Sequence, residues 1–115
     1  MPNIKIKGQE HSYNDDQVIV FPEGLVGLSD VRRAVVIPIA EFQPFCWLAP
    51  LENDELRFVV VDPNDVFEGY APPQSVTGQK TYAIVTLFSD WTRTTFNLKA
   101  PIMVDERERT AYQII

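Results

Sequence analysis

With one cysteine and one histidine in 115 residues, the chain is defined first by the chemistry it lacks. Cys46 alone cannot form an intrachain disulfide, and its neighbours Phe45 and Trp47 mark it as a small buried apolar residue with a raised thiol pKa. That cysteine usage reads as cytosolic. Nucleophilic catalysis needs a base within hydrogen-bonding reach, and the only imidazole, His11, lies in the polar stretch EHSYNDD. No catalytic triad is expected. One His, one Cys and scattered carboxylates do not give zinc ligands at a recognisable spacing. Asp62, Asn64 and Asp65 superficially resemble a cation loop, but Pro63 and the missing closing Glu make them a strand-ending turn, so no metal is expected. Glycine is also scarce, at 5 residues. Gly24 and Gly27 in FPEGLVG fit neither phosphate-loop pattern and read as turn glycines supplying positive φ. No segment approaches the roughly 20 apolar residues that span a bilayer. Residues 1–10 alternate apolar and polar side chains without the basic start and apolar run of a signal peptide, so neither export by that route nor membrane insertion is expected.

Net charge adds a further exclusion. Ten basic and 16 acidic residues give −6, the wrong sign for gripping nucleic acid by its phosphates or for docking on anionic membranes. The length suits one domain, residues 1–115, with a single core.

What the chain does contain is a succession of short β-branched and aromatic segments punctuated by Pro, Gly, Asn and Asp, an all-β pattern. Strands are predicted at residues 4–7, 17–21, 34–39, 45–49, 56–62, 80–87, 94–99, 102–105 and 110–115. Alternation at 94–98 turns Phe96 and Leu98 inward. The consecutive apolar residues Val59, Val60, Val61 and Val35, Val36, Ile37 mark core strands that are covered on both faces or cross the middle of a sheet. The predicted core is Phe21, Val36, Trp47, Phe58, Val60, Ile84, Phe96 and Leu98, and truncating Phe58 or Phe96 to Ala is expected to cost about 3–5 kcal/mol. Burying Trp47 in the barrel sends Cys46 to the outer face or under a loop. Helical turns are predicted only at 30–33, capped by Ser29, and at 65–70. The longest loop is GYAPPQSVTG at 69–78. Glu106 and Glu108 fall on one strand face, with Asp105, Arg107 and Arg109 on the other, the pattern of an exposed edge that resists aggregation.

The charge is unevenly spread. Between residues 41 and 70, Glu41, Glu52, Asp54, Glu55, Asp62, Asp65 and Glu68 face Arg57 alone, and the remaining residues balance. The same segment holds about half the aromatics. Two readings stand: an acidic rim solvating core aromatics, or a partner surface with an electrostatic edge. On the second reading the protein-binding residues are Phe42, Glu52, Asp54, Glu55, Asp62, Asp65, Phe67, Glu68 and Tyr70, with Phe42, Phe67 and Tyr70 as apolar anchors.

Five collinear motifs cover most of the chain: FPEGLVGL (21–28), PFCWLAPLEN (44–53), LRFVVVDP (56–63), YAIVTL (82–87) and NLKAPIMVD (97–105). In this order and spacing the chain resembles the flagellar assembly factor FliW family. Phe21, Pro22, Gly24 and Gly27 match its first turn, and Pro44, Phe45, Trp47 and Leu48 its "PF.WL" strand. Asn97, Leu98, Ala100, Pro101 and Ile102 match its "NL.API" segment, and Arg109 and Gln113 its closing strand. The chain departs at Ala49 and Pro50, where the family often has Gln-Ser, and at Asp105, where Asn is usual. It ends at Ile115 within the last predicted strand, shorter than many relatives. The resemblance implies a small antiparallel β-barrel without catalytic activity or cofactor. It further implies cytoplasmic binding of flagellin and, once flagellin is exported, of the RNA-binding regulator CsrA, relieving repression of flagellin translation. The partners are then proteins, with no direct nucleic acid and no membrane. Two other classes share the size: a split-barrel enzyme holding flavin, which a coloured purified protein would favour, and an oligonucleotide-binding barrel, whose charge would be wrong.

Overall fold

The computed structural model describes residues 2–53, 55–67, 69, 79–86 and 91–114, with Trp91 described by its backbone alone. Among them nine strands follow in chain order: β1 (Asn3–Ile6), β2 (Gln9–Ser12), β3 (Ile19–Val20), β4 (Arg33–Pro38), β5 (Cys46–Pro50), β6 (Phe58–Val61), β7 (Gln79–Thr86), β8 (Thr95–Asp105) and β9 (Thr110–Gln113). Strands β3 to β9 close into a barrel in sequence order. Neighbours are antiparallel except at the seam, where β3 meets β9 in parallel through Val20 and Thr110. The expected all-β barrel is what this chain builds, and β1–β2 form a separate hairpin.

The number of strands agrees with the sequence reading because two errors cancel. The polar segment QEHS shows no apolar alternation and so gives no strand signal. It pairs as β2 because Lys7 (φ 52°) and Gly8 (φ 82°) form a two-residue turn with both φ values positive, the turn that matches strand twist. Conversely, Pro101 reads as a break, yet β8 runs through it. Between the pairs Tyr82↔Ile102 and Ile84↔Asn97, β7 advances two residues and β8 five. Three extra residues on β8 form an irregularity that accommodates Pro101, while the Ala100 N–H finds the Asn97 side-chain oxygen at 3.2 Å. The helical expectations also shift. Residues 30–33 make no helix, only a turn in which Val31 N–H donates to the Leu28 carbonyl. The other predicted turn lies earlier, as a 3-10 turn at Pro63–Asp65, and residues 70–78 of the expected loop lie outside the described residues. Glu106 and Glu108 sit in the tight β8–β9 turn rather than on a strand. No helix among the described residues is long and apolar enough to cross a membrane.

Strands β4, β5 and β6 carry apolar residues on both of their faces. One face of the barrel wall sends Ile19, Ala34, Leu48, Val60, Ile102 and Ala111 into a single cluster with Phe21, Leu25 and Val31, joined by half-buried Val36, Phe58, Tyr82 and Ile84. Only the lumen is shared by strands from all round the barrel, so this cluster is the interior. The other face carries two outer clusters. Val35, Ile37 and Ala49 are covered by Ile4 and Ile6 of the hairpin, and Val59, Val61 and Val85 gather with Ile39 beneath Phe45 and Phe96. The valine triplet of β6 is thus covered on both faces, one of the two arrangements its composition allows.

This two-sided packing corrects several expected core positions. Phe21 and Val60 are fully buried at 0%. Trp47 is not inside the barrel: it is half-buried on the outer wall, packed against both outer clusters. Cys46, one residue earlier, therefore faces the lumen cluster. Phe96 also lies outside, because the odd number of extra residues in β8 reverses its facing relative to Ile102. Leu98 is half-buried.

Candidate functional site

β5 and β6 are antiparallel with Cys46 opposite Val60, so the loop leading into β5 and the turn leaving β6 meet at one end of the barrel. The loop carries the 3-10 turn Ala40–Phe42, and Phe45 N–H donates to the Phe42 carbonyl at 2.8 Å. From the β6 side, Pro63–Asp65 forms a 3-10 turn with Asp62 as its cap, its carboxylate accepting from Asn64 N–H at 2.9 Å. That turn delivers Val66 and Phe67 to the outer wall. Phe67 meets Phe96 edge-on with ring centroids 5.1 Å apart, and Phe96 meets Phe45 edge-on at 6.4 Å. The result is an aromatic ridge over the second outer cluster. At its end a groove of about 480 Å³ opens between the ridge and the hairpin, lined by Phe42, Phe45, Trp47, Ile39, Val59 and Ile6. Phe42 is 66% exposed, and Val66 and Phe67 are 41% and 38% exposed. Side chains of this size in water beside an apolar groove mark a place for a partner more often than a solvated rim.

The acidic segment does not form one patch. Glu41 lines the groove and Asp62 and Asp65 lie on the turn that leaves β6 at the same end of the barrel, whereas Glu52 and Glu55 lie on the β5–β6 connection at the opposite end of those strands. Glu52 fastens that connection to β4, since its carboxylate accepts from the backbone N–H groups of Arg32 and Arg33 and pairs with Arg33 Nε at 3.1 Å. Partial burial opposes ionisation of Glu52, but these donors outweigh it and hold its pKa below the ordinary carboxylate value. A group with a lowered folded pKa stabilises the protein above its unfolded pKa and loses that contribution as pH falls through the folded value. Glu52→Ala should therefore cost up to about 1 kcal/mol at neutral pH and nothing in acid. Urea unfolding at the two pH values checks this. Asp54, Glu68 and Tyr70 lie outside the described residues.

Cys46, inside the barrel, is not set up as a nucleophile. Burial pushes its thiol pKa up, Lys80 acts in the opposite direction, and Asp65 adds to the rise. Lys80 extends over the Tyr82 ring at 5.3 Å; the charge of the ionised Tyr82 hydroxyl and a hydrogen bond to it, with Asp62 and Glu106, raise the Lys80 pKa against its own partial burial. His11 lines the outer groove, on the other side of the barrel wall from the thiol. Alkylation of Cys46 by iodoacetamide should be slow in the native protein and become fast on unfolding. Rapid native labelling would contradict this placement.

Sequence reading misses Phe45, Trp47, Ile39 and Val59 as parts of the site because they look like ordinary core residues. Only the outward facing of their strands distinguishes them.

Comparison with known proteins then decides the family. The chain matches the family model described as FliW protein over residues 5–115. The chain belongs to the FliW family. A flagellar assembly factor FliW of Bacillus velezensis is 34% identical over 113 residues, covering 89% of this chain and 79% of that protein. The FliW of Ruminiclostridium cellulolyticum is 35% identical over 121 residues, with 92% and 80% covered. A crystal structure of the flagellar assembly factor FliW superposes with a TM-score of 0.86 at 22% identity, over 99% of this chain and 88% of that one. It shares the barrel fold.

Within this FliW fold the motif residues hold the chain together. The Gln113 side chain accepts from Val26 N–H at 3.1 Å and donates to the Ala100 carbonyl at 3.0 Å, tying the FPEGLVG turn to β8. Arg109, in a positive-φ conformation, donates to the Gln17 carbonyl. Asp105, which replaces the more usual Asn, accepts from Arg107 and Glu108 N–H at 3.0 and 3.1 Å. A carboxylate oxygen serves that turn as well as an amide oxygen. Ala49 and Pro50 lie buried in β5, so that departure is absorbed by the fold. Phe45 and Trp47 of the PFCWLAPLEN motif also line the outer groove, whereas the exposed Phe42 and Phe67 lie outside the family motifs.

Proposed function

We propose that this flagellar assembly factor is a non-catalytic, cytoplasmic binding module, acting as a single domain. It holds flagellin and, once flagellin is exported, binds CsrA, so that flagellin translation is no longer repressed. The observation supporting a binding role is the ridge of Phe45, Phe96 and Phe67 with the exposed Phe42 in the groove at its end, where Glu41 lines the groove and Asp62 and Asp65 lie on the turn that delivers Phe67. Aromatic anchors supply affinity, and these carboxylates steer a partner that carries basic residues for RNA. Glu52 and Glu55, at the far end of the strands, together with Asp54, Glu68 and Tyr70, extend the proposed contact residues. The lumen is filled by side chains, and the family relationship favours the assembly role over a flavin enzyme.

The test uses purified flagellin and purified CsrA in separate titrations. Phe42→Ala should weaken at least one of them by about tenfold or more while leaving the unfolding midpoint unchanged, since Phe42 is already exposed. Glu41→Lys with Asp65→Lys should slow association and flatten its salt dependence. Wild-type protein that binds neither partner would overturn the proposal.

A further inference from the structure

The hairpin that walls the groove has an unused edge. Tyr13 N–H donates to the Pro2 carbonyl at 3.1 Å. The register pairs Ile4 with His11 and Ile6 with Gln9. Bonded and non-bonded pairs alternate in an antiparallel ladder, so the 2/13, 4/11 and 6/9 pairs carry the hydrogen bonds. The backbone groups of Lys5, Glu10 and Ser12 therefore point away from the hairpin. On the β1 edge, the Lys5 carbonyl is taken by Arg57, which donates to it at 3.1 Å. On the β2 edge, none of the hydrogen bonds among the described residues uses the backbone N–H or C=O of Glu10 or Ser12.

That open edge borders the groove. Gln9 and His11 lie across from Ile6 and Ile4, so they share the barrel-facing side of the hairpin, and both line the groove together with Phe42, Phe45, Trp47 and Val59. A carboxylate stands on each lip, Glu10 on β2 and Glu41 beside Phe42. Lys5 lies across from Glu10 on the β1 side, and Lys7 of the hairpin turn lines one end of the groove.

We propose that β2 accepts an extended segment of a protein partner as an added strand. The segment would have apolar side chains at every second position, pointing into the groove, and Lys or Arg between them, facing Glu10 and Glu41. Strand addition satisfies the free N–H and C=O groups of Glu10 and Ser12 while the alternate side chains fill the apolar groove. A helix laid in the same groove satisfies its backbone internally and leaves the edge unpaired, so an extended occupant fits better. Glu10 also keeps this edge from pairing with a second copy of itself, because two such edges would bring like charges together. The inference rests on reading the outer wall as the protein-binding surface.

The probe is a capped octapeptide of alternating valine and lysine, titrated into isotope-labelled full-length protein and followed by amide NMR. Glu10 and Ser12 amide protons should move downfield, and their hydrogen exchange should slow by roughly tenfold at saturation. Glu10→Pro removes an edge N–H that the hairpin does not use, and should abolish peptide binding. Glu10→Gln should keep the edge pairing and lose only the salt-dependent part of the affinity. No binding at millimolar peptide overturns the proposal. So does binding that leaves the Glu10 and Ser12 amides unchanged, or a preference for a helical peptide. If Phe42→Ala weakens flagellin or CsrA while the β2 amides stay silent, the surface stands and strand addition falls. If Phe42→Ala has no effect and the peptide still pairs with β2, strand addition stands and the partner assignment falls.

Discussion

Phe21→Ala should cost about 3–5 kcal/mol, a large part of the total stability of a small domain. Phe21 is 0% exposed and packs with Ile19, Leu25 and Val31 in the lumen cluster, so truncation leaves a cavity enclosed by strands that are fixed to both neighbours and collapse poorly. Its backbone is committed as well: Phe21 N–H donates to the Arg32 carbonyl at 2.7 Å, and its carbonyl accepts from Gly24 N–H at 3.0 Å. Phe96→Ala and Phe58→Ala should each cost less, about 1–3 kcal/mol, because half-buried rings lose less apolar burial and leave space that water can fill. Urea unfolding midpoints of the three variants give the order. If Phe96→Ala costs as much as Phe21→Ala, the division into lumen and outer wall is wrong.

Gly24→Ala should cost about 2–4 kcal/mol, the sum of a strained left-handed backbone and a forced close contact. Gly24 has φ +72°, and a Cβ there would fall 2.7 Å from both Cα and the carbonyl oxygen of Ser29. Those are backbone atoms, so no side-chain rotation relieves the clash; the FPEGLVG turn itself would have to open. Gly27 has a similar φ, +78°, but a Cβ there would meet nothing within 4 Å. Gly27→Ala should therefore show only the conformational cost, about 1 kcal/mol. Thermal melts of the two variants separate the effects: equal losses would mean that the close approach to Ser29 does not matter.

Arg57 illustrates why part of the site could not be read in advance. In sequence it is the one basic residue in an acidic segment. In the fold its guanidinium donates to the carbonyls of Asn53, Leu56 and Lys5, fastening the hairpin to the β5–β6 connection. Glu52 is similar: it counts as one charge of a run, but its donors come from Arg32 and Arg33, 20 and 19 residues away. Local charge patterning does not reveal such partners.

The all-β class, the family motifs, the core position of the valine triplet and the exposed position of Asp65 follow from the order of residues, because turn chemistry and apolar runs are local. Which face of a strand points into the barrel does not. Period-two alternation distinguishes faces only when one of them is polar, and here the outer wall is apolar as well. It is roofed by the hairpin over Val35, Ile37 and Ala49 and by Phe45 and Phe96 over Val59 and Val61. With both faces apolar, inside and outside were settled by barrel closure and by the three extra residues in β8. The same closure placed Trp47 outside and Cys46 inside, and it left Phe42 and the open edge of β2 on either side of one groove.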